Sequence, residues 1–342
     1  MPGVALGEIT AASAATHGAG AADRELKLAE WGAARLRGSP SRRAVLSIQT
    51  RKSLRKWRDR CFMMRERALD RWLFPRGKRI AFWPWKELEE PVRRSFAFTR
   101  HRISFTPLLS GGGDFDLVVP LSIETLHAAA ADDSLRRRNP LPIPTRQAIE
   151  LCDDKAALNA RLRDLGYRRH VPADAGQSVY PRILKLRRDS AARNIFRLDG
   201  PADEVAHRLE LDSPDWLQQA CVPGEVEYTA HVLQIDGRLR RAITLSFCMA
   251  HDRAIKGRDH VVIHRRCANR HLALFEEMLN AIGFEGLCCF NYKEREGVPV
   301  IFEINPRFGF TLGPFFAAFV RSLAWERAER VATVARRGRG PV

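Results

Sequence analysis

Three side chains near the C-terminal end, Glu303, Asn305 and Arg307, combine a hard anion, an amide oxygen and a guanidinium at fixed spacing. They finish a stretch that reads as a β-hairpin. Leu287 to Tyr292 is an apolar, partly aromatic run, Lys293 to Gly297 is charged and ends in glycine, and Val298 to Ile304 is a second β-branched run. Residues two apart on a strand project to one face, so Glu303 and Asn305 present their oxygens side by side. A carboxylate and an amide oxygen followed by an arginine suit a hard cation that carries phosphate oxygens. Taken alone, the same residues also suit the polar end of a surface hairpin.

A second chemical feature lies earlier, in Ile183–Leu–Lys–Leu186. A lysine in the middle of an apolar strand costs free energy unless it is paired, and a phosphate is one partner that would pair it. Lys155 falls in the first turn of a helix capped by Asp153 or Asp154, and by itself reads as a surface lysine. Glu227 by itself reads as a strand carboxylate facing solvent, and His231 as a satisfied structural histidine. No Ser–His–Asp or Cys–His arrangement is evident.

Glu303–Ile–Asn–Pro–Arg307 resembles the metal-binding signature of the ATP-grasp superfamily, in the form seen in carboxylate–amine ligase-like and carbamoyl-phosphate synthetase-like members. The resemblance covers about Phe115 to Trp325 and runs more weakly back to Arg79. It implies that Glu303 and Asn305 bind Mg²⁺ (or Mn²⁺), with Asn291 at the place of a further acidic ligand, and that Arg307 meets the phosphates. It assigns Lys155 and Lys185 to the nucleotide. It gives Gln219 the hinge position, the backbone of Ala220, Cys221 and Val222 the adenine edge, and Glu227 the ribose. Among Lys256, Arg258, His264, Arg265 and Arg266, Arg258 is taken as a further phosphate or acyl-phosphate contact. The family's glycine-rich loop falls on Arg187 to Phe196, where only Ser190 and Arg193 keep the pattern, so the loop is either stiffer than in the family or holds phosphate through Arg187, Arg188 and Arg193. Phe310 narrows the acceptor side and Thr311 keeps a hydroxyl there.

The activity so implied is ATP-dependent ligation of a small-molecule carboxylate to an amine through an acyl-phosphate. Phosphoryl transfer asks for charge neutralisation and positioning rather than a protein nucleophile. The altered glycine loop, Asn291 and Phe310 motivate an alternative, a non-catalytic or regulatory relative that binds nucleotide. A third reading is a basic docking protein.

The elements that must position these residues are legible in outline. Arg79 to Trp83, Ile103 to Phe105 and Phe115 to Leu121 read as strands, the last of parallel type, and Lys86 to Thr99 as a helix. Gly111 to Gly113 is a loop. Ser122 caps a helix to Ala131, and Thr145 caps another. Pro201 to Leu209 reads as a helix and Trp216 to Val222 as a strand. Thr229 to Ile235 and Leu239 to Met249 pair about Asp236–Gly237. Asn269 to Ile282 is an amphipathic helix, and Pro314 to Ala332 a terminal one with a loose basic tail from Arg336.

Composition bounds the rest. A chain of 342 residues with 45% hydrophobic content supports two or three packed subdomains. No run approaches the length of a membrane span, and Met1 to Ala22 lacks the pattern of a signal peptide. The seven cysteines (61, 152, 221, 248, 267, 288, 289) are odd in number and without CxxC, which fits reduced thiols and a cytoplasmic protein. The net charge of +17 is concentrated between Arg35 and Arg79, with sixteen Lys and Arg against three acids. Residues 44–73 read as a basic amphipathic helix whose apolar stripe is Leu54, Trp57, Cys61, Met64, Ala68 and Trp72. That stripe packs on the protein, or docks on an anionic membrane surface or a partner, with nucleic acid the least favoured partner. A short helix is also placed at Asp23 to Arg35. The expected order is a mobile N-terminus and basic helix (1–76), a short α/β domain (77–140) and an ATP-grasp domain (141–335) of α+β subdomains.

Overall fold

In a computed structural model, the structure describes residues 42–107, 115–175, 179–189 and 193–326. The helix expected at Asp23–Arg35, the Gly111–Gly113 loop, Ser190 and the basic tail lie outside these residues. The chain divides into two compact units, 1–58 and 59–342. Helix α1, Arg42–Leu73, supplies the described part of the first unit and the start of the second.

The expected stripe of α1 is not its buried face. Met64 and Trp72 are exposed, and the buried positions are Met63, Glu66 and Asp70. The reason is electrostatic. Glu66 Oε2 accepts from Arg241 at 2.5 Å and lies 2.6 Å from Arg321 Nη2, and Asp70 Oδ2 lies 2.8 Å from His101 Nε2. Acids paired in this way can occupy an interior that an apolar periodicity does not reveal.

A three-stranded parallel sheet follows, with β1 (Arg79–Phe82) between β2 (Arg102–Phe105) and β3 (Leu117–Val119). Helix α2 (Lys86–Phe96) stops short of the expected Thr99. Helix α3 (Ile123–Ala131) opens on a reciprocal capping box between Ser122 and Thr125. The short α4 (Asp133–Arg138) leads to α5 (Arg146–Asp153), capped by Thr145, and α6 (Lys155–Asp164), capped by Asp154.

Two antiparallel sheets come next. The smaller has β4 (Arg182–Leu186) between β5 (Ile195–Leu198) and β6 (Trp216–Ala220). The single helix expected over Pro201–Leu209 is instead two, α7 (Pro201–Ala206) and α8 (Arg208–Leu211), with His207 between them. The larger sheet contains β7 (Val226–Ile235), β8 (Arg238–Met249), β9 (Val261–Cys267), β10 (Gly286–Arg295) and β11 (Val298–Asn305) in the order β11-β10-β7-β8-β9. Asp236 and Gly237, at φ 53° and 69°, and Glu296 and Gly297, at φ 53° and 80°, make the two tight turns, both left-handed as such hairpins require. The second turn is shorter than expected, so Lys293 belongs to β10. Strand β9, which carries His264, Arg265 and Arg266, is not among the expected strands. Helix α9 (Leu272–Ala281) covers the larger sheet. After β11 the chain forms a 3₁₀ turn over Phe310–Phe315 and the short α10 (Ala317–Val320), in place of a helix starting at Pro314.

The period-two alternation of strands aims the site. In β7 and β10, Ala230, Val232, Phe290 and Tyr292 enter a core with Phe275 and Met278 of α9. Their neighbours Glu227, Thr229, His231, Cys289, Asn291 and Lys293 line the opposite side. A second core joins Ile80 and Phe82 of β1, Val92 of α2 and Leu245 of β8 to Phe308 and Phe316.

Candidate functional site

Between the smaller and larger sheets lies a cleft of about 430 Å³, lined from one side by Ile183, Lys185 and Gln219 and from the other by β7, β10 and β11. Its floor is built by strand register. Asn291 stands opposite Glu303 on one side and Thr229 on the other. Glu303 Oε1 accepts from Asn291 Nδ2 at 2.6 Å and from Asn305 Nδ2 at 2.9 Å. Burial by itself would raise the Glu303 pKa. The ammonium groups of Lys155 and Lys185 and the two amide donors outweigh burial and hold it down to about 2. Glu303 is therefore ionised at neutral pH.

Three ammonium groups share the cleft with this acid, and two of them, Lys155 and Lys185, act on it directly. Lys155 Nζ lies 3.7 Å from Glu303 Oε2 and donates to Asp189 O at 2.9 Å. Lys185 Nζ donates to Phe302 O at 3.1 Å. Burial lowers its pKa to about 8, against the pull of Glu303. Lys256 Nζ meets Glu227 Oε1 at 2.8 Å, Thr229 Oγ1 at 2.6 Å and Asn291 Oδ1 at 3.1 Å. Arg307 lines the same cleft, as do Phe310, Thr311 and Trp85. Here His231 Nε2 meets Thr311 Oγ1 at 2.8 Å, and burial lowers the imidazole pKa to about 3, so the ring is neutral. Gly309 is packed so closely on it that a Cβ would lie 2.4 Å from His231 Cε1.

At the other end the chain crosses from β6 to β7. Gln219 is buried, and its side-chain Nε2 has no hydrogen-bond partner among the described residues. The Ala220 N–H donates to Ala173 O at 2.9 Å and the Cys221 N–H to Pro181 O at 3.2 Å, while the Val222 N–H has no partner among the described residues. Lys293 Nζ donates to the carbonyls of Val222, Asp252 and Ala254 at 3.3, 3.0 and 3.2 Å.

Not every expected residue comes to the cleft. Arg258 lies over the Phe196 ring at 5.0 Å, donates to Ile195 O and opens on a separate small cavity. Lys256, two residues before it, takes the place in the cleft. Arg193 is exposed. Arg187 is expected on phosphate, but its guanidinium holds Asp154 through two bonds of 3.1 and 2.6 Å, and Arg188 lies 3.5 Å from the same carboxylate. Lys293 is the residue that sequence reasoning placed in the turn. Its signal was the alternation Cys289, Asn291, Lys293, which continues the strand. Among the described residues, no three His, Cys, Asp or Glu side chains group as a metal site, so Glu303 is supported by amides rather than by further acids.

No family model matches the sequence, and no curated protein matches it. Solved structures do. An L-amino acid ligase from Bacillus licheniformis is 16% identical, with 71% of this chain and 70% of that one covered at a TM-score of 0.50. A D-alanine–D-alanine ligase from Bacillus anthracis is 13% identical, with 77% and 100% covered at 0.49. A biotin carboxylase from Campylobacter jejuni is 12% identical, with 74% and 70% covered at 0.46. At such identities a likeness speaks for architecture, and of these three the first carries it. Together with the cleft between two antiparallel sheets, it shows that this chain has the ATP-grasp fold.

Proposed function

We propose that the protein is an ATP- and Mg²⁺-dependent ligase that joins a carboxylate to an amine or similar nucleophile through an acyl-phosphate. One observation carries this reading: an ionised Glu303 beside Asn305, with Lys155 and Lys185 acting on it and Lys256 in the same cleft between two sheets. Such a set suits a polyphosphate and its cation better than a neutral ligand. The donor set fits Mg²⁺ (or Mn²⁺) through the Glu303 carboxylate and the Asn305 amide oxygen, once that amide turns from its present contact. The bound cation would supply neutralisation of phosphate oxygens. The crossing segment fits a purine base, because the Val222 N–H has no partner among the described residues and Gln219, Ala220, Cys221 and Val222 all line the cleft. Glu227, held by Lys256, would accept from ribose hydroxyls.

In the reaction a substrate carboxylate oxygen bonds to the γ-phosphorus as the bond to ADP breaks. The neutral amine then adds to the acyl carbon, one of its protons passes to solvent or to the departing phosphate, and the bond to phosphate breaks. Lys155, Lys185 and Arg307 hold the oxygens on which charge gathers. Phe310, Thr311 and Trp85 line the cleft and would bound the carboxylate and its acceptor. No described helix is long and apolar enough to cross a membrane, and free cysteines suit a reducing compartment, so we place the reaction in the cytoplasm.

The test is calorimetric titration of Mg²⁺ and ATP into the protein and into Glu303→Ala. Loss of the metal carboxylate is expected to weaken the complex on the order of 100-fold or more. A folded wild-type protein that binds no nucleotide sinks the reading. A nucleotide-binding relative without ligase activity is the second reading, favoured by the neutral Asn291. Phosphate release that ignores added carboxylates and amines would select it.

A further inference from the structure

Asn291 faces Glu303 across the β10–β11 pair and Thr229 across the β10–β7 pair. An amide has two unlike ends, and its neighbours decide which end points where. Thr229 Oγ1 donates to Asn291 Oδ1 at 2.7 Å, and Lys256 Nζ donates to the same oxygen at 3.1 Å. Turning the amide over would set its NH₂ against an ammonium, which has no acceptor to offer. The oxygen therefore stays with Lys256, and the NH₂ stays with Glu303 Oε1 at 2.6 Å.

This orientation closes one side of the acid. A cation shared between positions 291 and 303 needs an oxygen from each, and Asn291 presents hydrogens to Glu303 instead. Lys256 is itself fixed, by Glu227 at 2.8 Å and Thr229 at 2.6 Å, so its positive charge stays beside residue 291. Asn305 is different. Its NH₂ also meets Glu303 Oε1, at 2.9 Å, but no ammonium or guanidinium among the described residues donates to its oxygen. Asn305 can turn to a cation at little cost; Asn291 cannot.

We infer that the cleft takes a single divalent cation with its nucleotide, on Glu303 and Asn305, and that the Lys256–Asn291 pair stands as a fixed positive charge where a second cation would otherwise bridge residues 291 and 303. Asn291 is on this account a positioning residue and not a metal ligand. The inference rests on the nucleotide-binding reading above.

The number of bound ions tests it directly. Mn²⁺ is titrated into the whole chain, held in excess over a non-hydrolysable ATP analogue, and free Mn²⁺ is read from its electron paramagnetic resonance signal. The expected result is one bound Mn²⁺ per bound analogue. The double variant Asn291→Asp with Lys256→Met restores the acid and removes the competing ammonium, and is expected to bind two. Two ions per analogue in the wild type overturn the inference while leaving the ligase reading intact. One ion in both proteins overturns the role given to Lys256 and Asn291. No binding of the analogue, followed separately by calorimetry, overturns both readings. The wild-type count stands as a test even where the double variant fails to fold.

Discussion

Lys185 is an ammonium that burial pushes towards neutrality, to about 8, with Glu303 pulling the other way. A bound phosphate would favour its charged form and raise that value. The sign follows. Below about pH 8 the free protein already carries the proton, and binding is insensitive to pH. Above it the proton must be taken up on binding, so affinity falls by at most about tenfold per pH unit. Calorimetry of Mg²⁺–ATP binding between pH 7 and 9.5, in buffers of different ionisation enthalpy, should show uptake rising towards one proton. Lys185→Met should bind weakly with that uptake gone; a wild type whose uptake stays flat would contradict the assignment. At this scale the sequence was partly readable. Lys185 betrayed itself because its neighbours are apolar and its strand is regular. Lys256 did not, because it sits in an irregular loop and shares its stretch with Arg258, His264, Arg265 and Arg266, which carry the same kind of charge. Only the fold separates Lys256, bonded to Glu227, from Arg258, turned away over Phe196.

Among the elements, the start of α6 and the end of β4 are fastened together by one carboxylate. Asp154 accepts from the N–H groups of Ala156 and Ala157 at 3.0 and 3.1 Å and holds Arg187 through two more bonds. The Lys155 N–H adds a bond of 3.1 Å to Arg187 O. Lys155 and Lys185 are thereby held at a set separation by a residue that touches neither phosphate nor metal in the proposed reaction. Asp154→Ala removes a cap and a charge-assisted pair together, and should cost about 2–4 kcal/mol. In urea the midpoint should fall with an unchanged slope, and Asp154→Asn, which keeps an oxygen on the cap, should lose less. Caps and turns were the most legible elements: Ser122, Thr145 and Asp236–Gly237 each announce a local geometry through side chains within four residues. The glycine-poor loop was not. Its arginines looked available for phosphate because the acid that holds Arg187 lies 33 residues earlier.

For the whole molecule, the helix α1, the strand β8 and the segment after α10 meet at Glu66, which pairs with Arg241 and Arg321. Glu66→Ala leaves two guanidinium groups facing each other with little water, and should cost about 3–5 kcal/mol. Thermal or chemical denaturation measures the loss. Nucleotide affinity, measured where the variant remains folded, should change less than about twofold, since additivity holds between sites with no shared partner. This junction could not be read from the chain, because long-range charge pairing leaves no local period, and the apolar stripe of α1 pointed to the wrong face. The two-sheet plan was legible chiefly through the resemblance carried by Glu303 to Arg307; strand alternation alone gives hairpins but not their order.

One buried contact bears on how such a molecule would move. Lys293 is anchored in β10 and grips the carbonyl of Val222 together with those of Asp252 and Ala254. The segment that would read a base is thus tethered to the larger sheet at its far end. A swing of the smaller sheet must bend the backbone before Val222. A nucleotide would then meet Val222 on the tethered side, while Gln219 and Lys185, on paired strands of the smaller sheet, would shift together against it.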